Sequence, residues 1–373
     1  MNNTNSTLGL DLPEEMTEAA NRTQGFSMYP AQILIDKYVT ICVLLIGVPG
    51  NVLSFIIWMQ KRMRHSSGYY LAALAINDLI FLVMVMIFEV HTIWGTANLL
   101  SYPLVCQLFP VIYLALQSLS PGLVLAFTTE RYISICHPFK RDTFCTIHRA
   151  KLVVVCLAIG CLLLSAVNGY FFYLTTLNDA PDCDIRPSVL AGGRYSVFNV
   201  YKMATDALSF LLVPLAILLL NILVIREMRR LSRFEPTQSQ GSPAQRTGST
   251  TVMLLTVSFY QIITTLPISV VYAMMPDFSD SPTFLLILTS IKEYGVTHYA
   301  FNFIIYVITG RMFREELKRF LLQPFGSHKS NFSSEYNSLK TSVVFSARKC
   351  SSANGNHSFS EKTKSPEPSE TLL

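Results

Sequence analysis

Glu130, Arg131 and Tyr132 close a long apolar run that opens near Cys106. Built as a helix rising ~1.5 Å per residue, the stretch from Cys106 to Arg131 spans roughly 37 Å, about one bilayer with its headgroups. A cysteine then marks one face of a membrane, and an acid beside a base marks the other. An arginine at the centre of a membrane helix costs at least ~2.5 kcal/mol, so one held at a helix end next to an acid is either a snorkelling flank or a working part. Asp78, in Leu74-Ala75-Ile76-Asn77-Asp78, needs partners, because an unpaired carboxylate inside an apolar run is expensive. Ser120 lies about three helical turns before Arg131 and shares its face, and Asn302 can reach the depth of Asp78. These three form either a working polar cluster or a structural hydrogen-bond network between helices. Towards the other end, Tyr113 and Gln117 continue the stripe of Ser120, and Glu89 shares the direction of Asp78. Lys202 and Asp206 are one turn apart, and Lys292 and Glu293 are adjacent. Lys202 and Asp206 can simply pair with each other. Alternatively this set lines a cavity of mixed charge that suits a ligand with a positive group and a carbonyl or carboxylate, as a peptide has.

The elements that must position these residues are membrane helices. Of 373 residues, 51% are hydrophobic and only 14% charged, against about 25% charged in soluble domains. Apolar stretches of spanning length recur at about 38–60, 69–90, 104–129, 150–174, 200–225, 252–275 and 284–308, which predicts an all-α bundle of seven membrane helices. An odd number of spans puts the termini on opposite sides. Lysine and arginine collect after the first span, between the third and fourth, between the fifth and sixth, and after the seventh. These segments therefore face the cytoplasm. The other loops and the N-terminal tail are acid-rich, with Asp11, Glu14, Glu15, Glu18, Asp182, Asp184 and Asp277 among them. The N-terminus is thus expected outside, with the plasma membrane as the site and the first span as an uncleaved anchor. On that face Asn2, Asn5 and Asn21 begin Asn-x-Ser/Thr sequences that can be glycosylated. The net charge of +5 is accounted for by the inner loops and gives no nucleic-acid signal.

Cysteine use agrees with this topology. Of eight cysteines, only Cys106 and Cys183 fall on the outer, oxidising side outside an apolar core, so these two can pair and tie the second outer loop to the third span. Cys42, Cys156 and Cys161 read as small apolar span residues. Cys136, Cys145 and His148 lack a fourth ligand at a suitable spacing, so no metal site is expected.

The organisation is an outer tail at 1–36, a membrane domain at 37–322 and a cytoplasmic tail at 323–373. The inner loop 232–247, with Pro236, Gly241, Ser242 and Pro243, reads as a flexible link. Gly310 to Leu322 sets Met312, Phe313, Leu317, Phe320 and Leu321 among basic residues, the pattern of an amphipathic helix on the inner membrane surface. The tail is rich in serine and threonine, which predicts disorder and phosphorylation. Its last residues, Thr371-Leu372-Leu373, fit a strand that can augment the sheet of a PDZ domain.

In this order and at these depths the motifs resemble class A, rhodopsin-like G-protein-coupled receptors over about residues 37–322. Gly50-Asn51 is similar to the first-span motif of that family, and Leu74-Ala75-x-x-Asp78 to the second. Cys106 and Cys183 match its outer disulfide, Glu130-Arg131-Tyr132 its Asp/Glu-Arg-Tyr motif, and Pro138 a common continuation of it. Pro214 and Pro267 match its fifth- and sixth-span prolines, and Asn302-x-x-x-Tyr306 followed by Phe313 resembles its Asn-Pro-x-x-Tyr box. The resemblance implies that Glu130 holds Arg131 at rest and releases it to a heterotrimeric G protein when the sixth span swings out, a population shift driven by a ligand. It implies further that Tyr306 moves inward to support Arg131, that Phe139 inserts into an apolar pocket of the G protein, and that arrestin is a partner. No cofactor is implied beyond a sodium ion at Asp78, Ser120 and Asn302.

Departures from the family pattern are equally specific. Thr264-Thr265-Leu266-Pro267 stands in place of Cys-Trp-x-Pro, Gln261 in place of a phenylalanine, Phe303 in place of the seventh-span proline, and Ile222 in place of a tyrosine. His298 stands where the family often has the asparagine that precedes Asn302 by one turn. Tyr113 occupies the position of the amine-receptor aspartate, and Val296 that of the opsin lysine, so amine and retinal ligands are set aside. The remaining pocket is similar to those of neuropeptide receptors, with a small metabolite or lipid as the alternative ligand. The alternative from another class is a transporter carrying protons or cations along Asp78, Glu89, Glu130, His298 and Glu293. That reading needs polar groups at every level of a pore and usually an inverted repeat, and neither is evident. No nucleophile with a base recurs at helical spacing, so an enzyme is not expected.

Overall fold

The computed structural model describes residues 35–92, 99–177, 180–234, 243–278 and 281–322. Its long helices are α1 (Thr40–Trp58, entered through a π-turn at Ile35–Val39), α2 (Ser66–Thr92), α3 (Pro103–Cys136) and α4 (Ile147–Ser165). They continue as α5 (Val197–Ala207 and Val213–Phe234, joined by a π-turn at Leu208–Leu212), α6 (Pro243–Phe278), α7 (Pro282–Thr309) and α8 (Arg311–Leu322). Helix starts carry ordinary start signals. Pro103 and Pro282 sit at first helical positions, where a missing N–H costs nothing. The hydroxyls of Thr146, Ser196 and Ser281 accept the N–H of Arg149, Asn199 and Phe284. The π-turn in α5 lies just before Pro214, whose ring removes a backbone donor and whose bulk a wider turn accommodates.

Among the described residues six helices are long and apolar enough to cross a membrane. α7 carries Lys292, Glu293, His298 and Asn302 and is less apolar. Its 28 residues are nonetheless of spanning length, and it packs against α1, α2 and α6, which completes a seven-helix bundle. The contact of α1, α2 and α7 is close because Gly47 has no side chain: a Cβ there would lie 2.8 Å from the Cβ of Ala300. Around it Val43, Phe81, Leu82, Val85, Tyr299 and Ala300 form a buried cluster. α4 is the most peripheral of these six: it packs on α2 and α3, and of its residues only Ala150 and Ser165 are fully buried.

Three expectations need correction. The fourth span ends at Phe171 rather than near 174, its last turn (Asn168–Phe171) following a break after Ser165, and residues 172–174 belong to a strand. β1 (Phe172–Leu177) and β2 (Ala180–Ile185) form an antiparallel hairpin with Leu174 opposite Cys183; the apolar run through 174 conceals the change from helix to strand. The inner link is also shorter than 232–247, because α5 runs to Phe234 and α6 begins at Pro243. Finally, α3 continues past residue 129 to Cys136, followed by a short helix at Pro138–Phe144. The first compact unit ends at Leu317, and of the second, Lys318–Leu373, only residues 318–322 are described. Asn2, Asn5, Asn21, the tail at 323–373 and Thr371-Leu372-Leu373 lie outside the described residues.

Candidate functional site

At the end of the bundle expected to face the cytoplasm, the last turns of α3 place Glu130 and Arg131 against the first turn of α2. Glu130 is buried and its Oε1 accepts the hydroxyls of Ser66 at 2.7 Å and Ser67 at 2.9 Å. Arg131 Nη2 donates to the Oγ of the same Ser67. The expected direct hold of Glu130 on Arg131 is thus replaced by a relay, guanidinium to hydroxyl to carboxylate. Each group in it plays its proper role, since a hydroxyl can accept one bond while donating another. Across the bundle, the hydroxyls of Thr128 and Ser258 meet at 3.2 Å and join α3 to α6. Arg131, Asn221 and Thr251 line a cavity of about 10 Å³ beside them, room for about one water. Phe139, on the short helix after α3, is 100% exposed. Tyr306 is buried and packs edge-on against Trp58 and close to Phe313, both at 5.4 Å between ring centroids.

Midway through the bundle the predicted polar cluster assembles. Asp78 is 0% exposed. Its Oδ1 accepts from Ser120 Oγ at 3.2 Å and Asn77 Nδ2 at 3.4 Å, and its Oδ2 accepts from Asn302 Nδ2 at 2.7 Å. Helices α2, α3 and α7 are thereby joined at one carboxylate. Asn51 on α1 donates to the carbonyls of Gly47 at 3.0 Å and Tyr299 at 2.7 Å. His298 is buried, has its ring 3.8 Å from that of Tyr299 and tilted to it by 34°, and has Nδ1 2.5 Å from the carbonyl of Gly295.

At the outer end a Cys106–Cys183 disulfide fastens β2 to the first turns of α3, with a Cα–Cα distance of 5.6 Å. Beneath it Tyr113 packs against Phe81 at 5.1 Å and Phe109 at 6.0 Å. Lys202 Nζ pairs with Asp206 Oδ2 at 2.7 Å and sits 4.4 Å above the ring of Tyr272. Asp206 and Gln117 line one small polar cavity between α3, α4 and α5.

A known family covers all three levels of this arrangement. The family described as 7 transmembrane receptor (rhodopsin family) matches residues 50–306. The chain belongs to it. Among receptors of this class the chain is 28% identical over 286 residues to the FMRFamide receptor of Drosophila melanogaster, covering 72% of this chain and 50% of that one. It is 30% identical over 152 residues to the human thyrotropin-releasing hormone receptor, 39% of this chain and 37% of that one. It is also 24% identical over 345 residues to the sex peptide receptor of Drosophila melanogaster, 83% and 76% of the two chains. The match therefore spans half or less of the length of the first two relatives.

In this receptor the predicted outer set does not all converge. Glu293 is buried towards α1, where it accepts the hydroxyl of Thr40 at 2.9 Å, rather than facing a cavity shared with Lys202. Lys292 is exposed, and Lys202 takes the simpler of its two readings by pairing with Asp206. Glu89 lies on the last turns of α2, and its side chain is outside the described residues. Ser66, Ser67, Thr128 and Ser258 were missed by sequence reasoning. The two serines open α2 directly after the basic inner loop, and serine at a helix start reads first as a cap.

Proposed function

We propose that this chain is a plasma-membrane receptor, N-terminus outside, that binds a peptide at its outer face and activates a heterotrimeric G protein at its inner face. The observation that carries the reading is the arrangement on α3: its outer end is bridged to the hairpin by Cys106–Cys183, and its inner end holds Arg131 in the relay through Ser67 to Glu130. One rigid helix thus joins a ligand-facing lid to a releasable cation. The names of the relatives, receptors for FMRFamide, thyrotropin-releasing hormone and sex peptide, support a peptide ligand. Tyr113, Gln117, Asp206 and Lys202 would form the inner wall of the site, with Lys292 and Glu89 nearer its mouth. Exposed Phe139 would meet the G protein. Tyr306 would leave Trp58 to support Arg131, and Tyr132 would complete the motif. Arrestin binding, a PDZ contact at Thr371-Leu372-Leu373, glycosylation at Asn2, Asn5 and Asn21, and the division into tails at 1–36 and 323–373 belong to the same reading. Sodium would sit at the Asp78 carboxylate with the Ser120 hydroxyl, and Asn302 would turn its amide oxygen inward. A peptide library applied to cells expressing the full chain, read by calcium and cyclic AMP, tests the proposal. A responding peptide whose signal disappears in Arg131→Ala at unchanged surface expression supports it. A ligand-gated current without any G protein overturns it.

A further inference from the structure

A sizeable crevice lies apart from the axis of the bundle. It opens, with a volume of about 830 Å³, between the outer halves of α5 and α6, a size typical of sites for small molecules. Neither α3 nor α7 contributes to its lining. Its apolar walls are Val200, Met203 and Leu211 on one side and Val270 and Met274 on the other, all well exposed, with Met203 at 66% and Val270 at 58%. These positions belong to membrane-spanning stretches, so the mouth of the crevice faces lipid. Its polar end is the Lys202–Asp206 pair. Lys202 sits near the outer end of α5, where a long amphipathic side chain can keep its charge at the membrane interface. Leu211, at the apolar end, is roughly 13 Å deeper along the helix.

This shape is amphipathic in the same sense as a single-chain lipid, and its charge selects the head. Lys202 and Asp206 cancel, so the polar end has no net charge. A charged head would have to leave water without an uncompensated counter-charge to receive it. An uncharged head with both a hydroxyl and a carbonyl is better matched. The ammonium has three N–H donors, of which one goes to Asp206 Oδ2, leaving donors for a carbonyl. Asp206 Oδ1 takes no hydrogen bond among the described residues and can accept a hydroxyl. We propose that the crevice between α5 and α6 binds an uncharged single-chain lipid of the monoacylglycerol class, with its chain along the Met203 and Val270 walls and its head on Lys202 and Asp206. The crevice meets the site proposed for peptide only at Lys202 and Asp206 and is entered from the membrane, between α5 and α6.

The test uses the full-length receptor in phosphatidylcholine nanodiscs and a monoacylglycerol carrying a photoactivatable diazirine on its chain. Mass mapping should place the label on residues 200–211 and 269–274, with competition by unlabelled monoacylglycerol. The fatty acid of the same chain length should compete about tenfold more weakly or worse, a difference of about 1.4 kcal/mol. Val270→Trp and Met203→Trp fill the crevice from opposite walls at exposed positions, so each should cut labelling at equal surface expression, and either one carries the test if the other folds poorly. Asp206→Ala leaves Lys202 uncancelled and should reverse the preference in favour of the fatty acid. Label confined to other helices, or labelling unchanged in the tryptophan variants, overturns the site. An unaltered preference in Asp206→Ala overturns the assignment of the head.

Discussion

The guanidinium of Arg131 donates to the hydroxyl of Ser67, so the arginine at the end of α3 is held by a serine of α2 that itself donates to Glu130 at 2.9 Å. A hydrogen bond to a charged group contributes about 1.5–3 kcal/mol. Glu130 would still hold Ser66 at 2.7 Å if Ser67 were lost, but Arg131 would not keep its partner. Ser67→Ala should therefore shift the resting equilibrium roughly tenfold or more towards the released arginine, raising ligand-free signalling, while Ser67→Thr, which keeps the hydroxyl, should not. The measurement is basal calcium and cyclic AMP at matched surface expression. Wild-type basal output from Ser67→Ala would count against the relay.

The Cys106–Cys183 bridge closes a long loop, with a sequence separation of 77, and on loop length alone it stabilises the fold by roughly 4 kcal/mol. Replacing either cysteine with serine should lower surface expression and remove ligand binding, and the double variant should be no worse than either single one. A single variant that traffics and binds normally would show that the hairpin is positioned without the bridge.

The spans and the motifs on them were legible because both are local in sequence: an apolar run has a length, and Cys106, Ser120 and Arg131 keep their relation along one helix whatever surrounds it. The Asp78, Ser120 and Asn302 cluster was legible for a similar reason, since a carboxylate in a membrane must find donors at its own depth. What escaped depends on how one helix is turned against another. Glu293 faces Thr40 on α1, a rotation that packing at Gly47 and Gly295 decides and that no spacing within α7 reveals. The hairpin was hidden because Phe172, Tyr173 and Leu174 are as apolar as the helix they follow. Ser67 was missed because a small hydroxyl at a helix start carries no signal of the charge it will meet.

Asp78 gives a second test of the inner machinery. If sodium binds the resting receptor at its carboxylate, exchanging choline chloride for sodium chloride should raise the thermal midpoint of the purified protein, by mass action worth about 1.4 kcal/mol at a tenfold excess over Kd. Asp78→Asn keeps the shape and can still bond Ser120 and Asn302, but lacks the charge, so the sodium effect should vanish. An equal response to sodium in both proteins would locate the ion elsewhere.

His65, between α1 and α2, provides a dependence on pH. Burial holds its pKa below the usual 6.5, opposed by its bond to the Met63 carbonyl at 2.6 Å and reinforced by the positive charge of Arg131. The unfolded chain therefore takes up a proton that the folded one refuses. Stability from the neutral ring is fully present above about pH 6.5 and is lost as the pH falls through that value towards the lower folded pKa. The thermal midpoint of the solubilised receptor should fall between pH 7.5 and 5.5, and His65→Gln, which cannot titrate, should flatten that part of the curve while Arg131 keeps its bond to Ser67. An identical slope in both proteins would assign the pH dependence to other groups.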